Sequence, residues 1–429
     1  MTVSENHEKE VLPLKRFLAF SFAFALILCG CTASFDPPSA DPLAAVETMA
    51  AASDPAQPAP SVEQPPDEIT RISFAAVGDN LVHPCIYIDA RNRAVASGRA
   101  YNFKPPYADL LPMIEAADFA FINQETPMAG EQFGYSGYPN FNSPQDLGYD
   151  LVELGFDIIG LANNHMLDKG AAGYAGTVAF AKTLDAVTIG AYESIEDYNN
   201  IRIIEKDGFT VALLAYTEHT NYIKLPAGST LYVPYLRTET AGFSRETVSA
   251  DDAELTRQIN AAKQLADAVI VSVHWGDENT HTPNAEQKRR AQLMADLGVT
   301  VILGHHSHTL QPIAELTGRD GNKTLCFYSM GNLISAMEYA RNMLGGVFAF
   351  ELVKTNGVVT YDTVSMTPTV YYFGPSYYNG HVYLLRDYTA ELHSSHGTWR
   401  TYGKYSTVDD LYAILDKTID RKYLPASMQ

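Results

Sequence analysis

Cysteine is scarce in this chain, with four among 429 residues, and two of them, Cys29 and Cys31, fall within the first 31 positions. Only Cys85 and Cys326 remain, so no disulfide framework organises the fold, and both read as ordinary partly buried thiols. Basic residues are also few: 30 Lys and Arg stand against 50 Asp and Glu, a formal net charge of -20. Nucleic-acid binding needs clustered cations for the phosphates, so that class is excluded. The leading apolar run, from Phe17 to Cys29, has 13 residues. A membrane-spanning helix needs about 20. There is no G-x-S-x-G elbow, no Walker loop and no G-x-G-x-x-G after a first strand. Gly170, Gly173 and Gly176 recur at every third position, which is no dinucleotide fingerprint, and nothing points to a Ser–His–Asp triad.

Apolar residues at 46% and charged residues at 19% leave ample material for a core. The length suits two or three domains, or one large one. Lys9, Lys15 and Arg16 precede the apolar run, the order of an export signal. That run closes in Leu28-Cys29-Gly30-Cys31, which resembles a bacterial lipoprotein signal with Cys31 as the lipidated new N-terminus. Residues 1–31 would then be signal and anchor, and the protein would sit on the outer face of the cell membrane. An uncleaved signal anchor and plain secretion are the alternatives. All three place the bulk of the chain outside the cytoplasm. Residues 32–68 hold eight prolines, nine alanines and seven acids, without Lys or Arg, the composition of an extended disordered tether.

From Ile69 onward, short apolar runs alternate with helical patterns. The runs cover residues 72–77, 119–122, 157–161, 211–215, 268–273, 299–303 and 325–328, and they read as buried strands. Ser143 before Pro144 and Thr282 before Pro283 are expected to open helices. Leu255, Ile259, Ala262 and Ala266 repeat at helical spacing. Such alternation predicts an α/β fold with largely parallel pairing. Strand-like stretches at 347–353 and 358–364 and a Tyr-rich tail follow. The expected division is a main domain at 69–367 and a C-terminal β/α extension at 368–429. Tyr371, Tyr372, Tyr377, Tyr378 and Tyr383 in that tail could stack on sugars or peptides, and packing over a sheet edge is the expected role.

The residues that end these strands carry the chemistry. Asp79 closes the first, Asn123-Gln124-Glu125 the second and Asn163-Asn164-His165 the third. His274-Trp275-Gly276-Asp277-Glu278 and Gly304-His305-His306-Ser307-His308 close two later ones. In parallel α/β sheets, ligands bind beyond the carboxyl ends of strands, so five strands are expected to deliver these groups to one edge of one sheet. His306 and His308, two apart in extended chain, would point the same way. Singly, each group has a bland reading as a cap, a turn or a structural histidine. Together they indicate a metal site, and mixed N and O donors suit Zn, Mn or Fe better than Ca or Mg.

The order of these motifs, with Asp168-Lys169-Gly170 and Tyr328-Ser329-Met330-Gly331-Asn332, resembles the bacterial capsule-synthesis family of the CapA or PgsA type, associated with poly-γ-glutamate. The resemblance covers roughly 72–335. That family is similar to the calcineurin-like metallophosphatases, which implies a four-layer α/β/β/α sandwich with two sheets between helices. It further implies a divalent metal centre of one or two ions. Asp79, with Glu125 in a bridging place, would hold the first metal, Asn164 and His274 the second, His306 would join them and His308 would return to the first. His165 and Asp168 would be catalytic, with His165 as general acid or transition-state donor, and Asn123, Trp275, Glu278 and Asn332 would meet substrate. Two departures stand out: Leu81 occupies a position that is histidine in metallophosphatases, and Glu125 replaces an Asp. His83 reads as an unrelated side chain. His393 and His396 lack ligand spacing.

Two functions follow from the resemblance. One is a hydrolase in which metal-activated water attacks a phosphoester or amide. The other is a non-catalytic subunit that binds or exports an anionic capsule or cell-envelope polymer beside membrane synthase subunits. A chain this acidic repels polyanions at long range, so polymer contact would need the metal or a local patch such as Lys288-Arg289-Arg290, which otherwise reads as a solvated helix face.

Overall fold

The computed structural model describes residues 67–95 and 98–428. The expected signal, Cys31 and the tether as far as residue 66 lie outside the described residues. In chain order the strands are β1 (Ile69–Asn80), β2 (Phe119–Gln124), β3 (Ile158–Gly160), β4 (Val187–Ile189), β5 (Arg202–Lys206), β6 (Phe209–Thr217) and β7 (Ala268–His274). Then come β8 (Val301–His305), β9 (Ile313–Thr317), β10 (Lys323–Phe327), β11 (Asn332–Ile334), β12 (Leu344–Thr355), β13 (Val358–Tyr372) and β14 (His381–Leu384). They form two sheets. One is eight-stranded, in the order β14-β13-β12-β1-β2-β3-β4, with β11 beside the end of β1. The other is six-stranded, in the order β5-β6-β7-β8-β10-β9. In the first sheet β1 to β4 pair in parallel and β12 to β14 add an antiparallel flank on one side; in the second the centre is parallel and both edge strands are antiparallel.

Alternation along each strand sets the layers, because successive side chains leave opposite faces. In β1, Ile72, Phe74 and Ala76 enter a core shared with Val211 and Leu213 of β6, Ile270 of β7 and Leu303 of β8. Ala75 and Val77 point the other way, onto Ile86, Leu151, Tyr174 and Val178 of covering helices. On the far side, Leu214, Val271 and Ile302 meet Leu255, Ile259 and Ala262 of the helix Arg245–Leu265 and Met294 of the helix Ala285–Asp296. The result is helix, sheet, sheet, helix: the four-layer α/β sandwich.

Helix starts differ in detail from the sequence reading. Ser143 caps nothing, because its hydroxyl pairs with Thr126 Oγ1 at 2.7 Å, and the helix begins only at Asp146. The later helix is capped by Asn284, not Thr282, in a reciprocal box with Gln287. In the Tyr-rich tail, Tyr371 and Tyr372 are buried, whereas Tyr378 is exposed. His393 and His396 serve local bonds, to Ser406 Oγ and Tyr371 O, both at 3.0 Å. Among the described residues no helix is long and apolar enough to cross a membrane.

Candidate metal centre

Both sheets, not one, deliver the site. Asp79 ends β1, Glu125 follows β2 and Asn164 follows β3 in the first sheet; His274 ends β7, and His306 and His308 follow β8 in the second. One close approach makes this possible. The Asp79 amide donates to Gly331 O at 2.9 Å, and a Cβ on Gly78 would lie 2.0 Å from that same oxygen. Only glycine fits there. His306 and His308 are not in extended chain, because β8 stops at His305 and both have positive φ, 91° and 54°. A tight turn, carrying backbone strain, brings them to the centre.

Two ligand groups emerge. Asp79, Glu125 and His308 offer atoms that all lie within 4.8 Å of one another. His308 Nδ1 is 3.3 Å from Asp79 Oδ2, and its Nε2 is 3.5 Å from Glu125 Oε1. In the second group, His274 Nε2 lies 3.0 Å from both Asn164 Oδ1 and His306 Nδ1. Glu125 Oε1 is 3.6 Å from that same His274 nitrogen, so it stands between the groups. Both Glu125 oxygens and His274 Nδ1 are buried without hydrogen-bond partners among the described residues. A bare buried carboxylate facing converging ring nitrogens is costly unless a cation joins it, so the donor set fits a divalent metal.

The electrostatics agree. Burial opposes charge on Asp79, but His305 and His308 outweigh it and hold its carboxyl well below the usual range. Burial drives Glu125 well above that range, against the pull of His308 and aided by Asp79. Burial would neutralise His308, yet Glu125 and Asp79 overcome it and push its pKa up to about 10. Without metal, the His308 imidazolium therefore places a positive charge between Asp79 and Glu125. Burial holds His274 and His306 well below their ordinary value, with neighbouring imidazoles adding to it, so both offer neutral lone pairs.

His165 stands beside this centre. Its Nδ1 is 2.8 Å from Asp168 Oδ2, its amide donates to Asn163 Oδ1 at 2.9 Å, and Phe141 lies edge-on at 4.7 Å. Asp168 also accepts the Phe141 amide at 2.7 Å. It touches the centre through His165 alone and is a positioning residue.

The four expected substrate contacts fare unequally. Trp275 is corrected: its ring is fully enclosed in the outer core, with Nε1 donating to Tyr328 O at 2.9 Å, because the residue after His274 must point to the opposite face. Asn123 and Asn332 are buried and orient ligands, the first donating to Asp79 Oδ1 at 2.8 Å, the second 3.0 Å from His308 Nδ1. Glu278 is exposed and lines a cavity of about 230 Å³ with Glu218, His219 and His306. Glu218 and His219 were missed, although they follow the run at 211–215 as the other ligands follow theirs. His219 sits edge-on to His306 at 5.2 Å. Burial raises the Glu218 pKa to about 7, although the Gly276 amide bonds to it. His305 is buried with neither ring nitrogen hydrogen-bonded among the described residues, and its Nδ1 is 3.4 Å from Asp79 Oδ1. Leu81 is buried, and His83 Nδ1 accepts the Ala336 amide at 3.2 Å.

Comparison with known proteins identifies the family. The bacterial capsule synthesis protein family PGA_cap matches residues 73–337. A capsule biosynthesis protein CapA of Bacillus anthracis is 32% identical over 220 residues, 50% of this chain and 49% of that one. A PGA biosynthesis protein CapA of Bacillus subtilis strain 168 is 29% identical over 259 residues, 57% of this chain and 60% of that one. The matches thus span about half to three-fifths of these relatives' lengths. A solved structure described as a novel phosphatase of Mycoplasma pneumoniae is 13% identical, with a TM-score of 0.41, covering 71% of this chain and 95% of that one. The chain belongs to the capsule synthesis family, within the metallophosphatase-like superfamily.

Proposed function

We propose that this member of the capsule synthesis family is an extracytoplasmic, lipid-anchored, metal-dependent hydrolase. It acts on a phosphoester or amide bond in poly-γ-glutamate or a related envelope polymer, beside the membrane synthase. The observation that carries the reading is the pair of ligand groups sharing Glu125 Oε1, with the His165–Asp168 pair alongside. Asp79, Glu125 and His308 would hold one ion, and Asn164, His274 and His306 a second, of Zn, Mn or Fe. Such an ion supplies Lewis acidity and eases deprotonation of water.

The remaining steps belong to the chain. Asp168 takes the Nδ1 proton of His165 in a hydrogen bond and fixes the ring, which leaves Nε2 to exchange a proton with the leaving group. Asn123 and Asn332 hold Asp79 and His308 in place. His219 and Glu278 line the mouth through which substrate would enter. The apolar Leu81 favours a second reading, a subunit that binds polymer without turnover.

The test is turnover of a phosphodiester and of a γ-glutamyl peptide by the full chain loaded with Mn or Zn. Turnover that is lost in His165→Gln at unchanged metal content supports the hydrolase. A fully loaded protein that cleaves neither substrate overturns it and leaves the binding subunit.

A further inference from the structure

A cavity of about 690 Å³ lies away from the metal ligands, between the helix Ala285–Asp296, the short turn Ala340–Asn342 and the helix Val408–Thr418. Lys288, Arg341 and Lys417 line it, and no Asp or Glu does. This is unusual in a chain of net charge -20. The neighbouring Arg289 and Arg290 both reach Asp252, at 2.8 and 3.1 Å, so among the described residues Lys288 is the one of that basic triplet left without a carboxylate. Among the described residues, Lys417 and Arg341 have none either. Arg341 Nε is buried with no hydrogen-bond partner among the described residues, and its guanidinium rests on the Tyr339 ring at 4.2 Å.

Three cations around one cavity repel one another, and among the described residues none of them is paired with a carboxylate. An anion would relieve it. The volume falls within the roughly 300–1,000 Å³ typical of ligand sites and is far above the share of one small ion, since a water takes about 30 Å³. Pro283, Pro312 and Ile414 add apolar wall between the charges. That combination suits an extended chain whose carboxylates are separated by stretches of carbon, with Arg341 presenting the planar fork that matches a carboxylate.

We infer that this cavity binds the carboxylates of an anionic chain, as a second site distinct from the metal centre. The two sites share a scaffold. Asn342, next to Arg341, donates to His308 O at 3.0 Å, and the carbonyl of Thr280, next to His281 of the cavity wall, accepts from Thr309 Oγ1 at 2.7 Å. The inference rests on the proposed function only in taking an acidic polymer as the natural occupant; binding itself needs no metal.

The experiment is calorimetric titration of the full chain, with chelator present, using γ-linked tetraglutamate and, separately, inorganic tripolyphosphate. The wild type should bind tetraglutamate, and Lys288→Ala with Lys417→Ala should weaken binding about tenfold or more while leaving the melting temperature and metal content unchanged. Both lysines are exposed, so the fold should tolerate the change. Arg341→Lys should weaken it too. Equal affinity in the double variant, no binding by the wild type, or tighter binding of tripolyphosphate overturns the inference. Tetraglutamate binding that depends on these lysines in a chain unable to hold metal would sink the hydrolase and spare this site. The converse would sink this site alone.

Discussion

Oε1 of Glu125, just beyond a strand of one sheet, lies 3.6 Å from Nε2 of His274, at the end of a strand of the other. At this end of the shared core, one bare carboxylate, whose oxygens have no hydrogen-bond partner among the described residues, stands between ligands from both sheets. Glu125→Gln keeps the shape and removes the charge that both ligand groups share. Metal affinity should fall by at least about 100-fold, measured by competition with a coloured chelator. Unchanged affinity would mean that Glu125 is not a ligand.

Protons should leave when metal enters. His308 has its pKa raised to about 10, so its stabilising charge is present in full below its ordinary value and is lost as pH rises through about 10. The urea midpoint of the metal-free protein should therefore fall between about pH 6.5 and 10, and that of the loaded protein should not. At pH 8, calorimetry in two buffers of different ionisation enthalpy should report release of at least about one proton per chain on metal binding. Zero release would contradict the imidazolium assignment.

His165 and Asp168 should act as a unit. Their 2.8 Å contact orients the ring, so Asp168→Asn should lower kcat about 10²–10⁴-fold with metal content unchanged. The double variant with His165→Gln should be no worse than His165→Gln alone. Additive losses would separate the two roles.

Glu218 offers a test by stability. Its folded pKa is raised to about 7, so the folded state binds the proton more tightly than the unfolded one between roughly pH 4.5 and 7. The stability held below that window is lost as pH rises through it. Glu218→Gln mimics the protonated form and can still accept from the Gly276 amide. It should match the wild type at pH 4.5 and exceed it by roughly 2–3 kcal/mol at pH 8, read from urea unfolding. An equal gap at both values would assign the effect to packing.

Much of this was legible in the sequence because strand ends are local signals. Apolar runs followed by Asp79, Glu125, Asn164 and His274 need only period and position to be read. What escaped depends on tertiary contact. That β7 and β8 belong to a second sheet cannot be deduced from runs alone, so a single edge was expected. His306 and His308 converge through a strained turn, and residue spacing carries no sign of positive φ. Trp275, a substrate contact by the resemblance alone, is sent into the outer core by alternation at the strand end. Glu218 and His219 also follow an apolar run, the one at 211–215, and so obey the same strand-end rule. The triplet at 288–290 shows the converse: charge was visible, but only folding shows which of the three lacks a partner.

The most direct test is metal content per chain, by elemental analysis, of the full protein and of His274→Ala and His308→Ala after incubation with Mn or Zn. The wild type should hold one to two ions, with each variant losing metal while its circular dichroism stays native. A wild type without metal, or variants that keep it in full, would contradict a centre built on these residues.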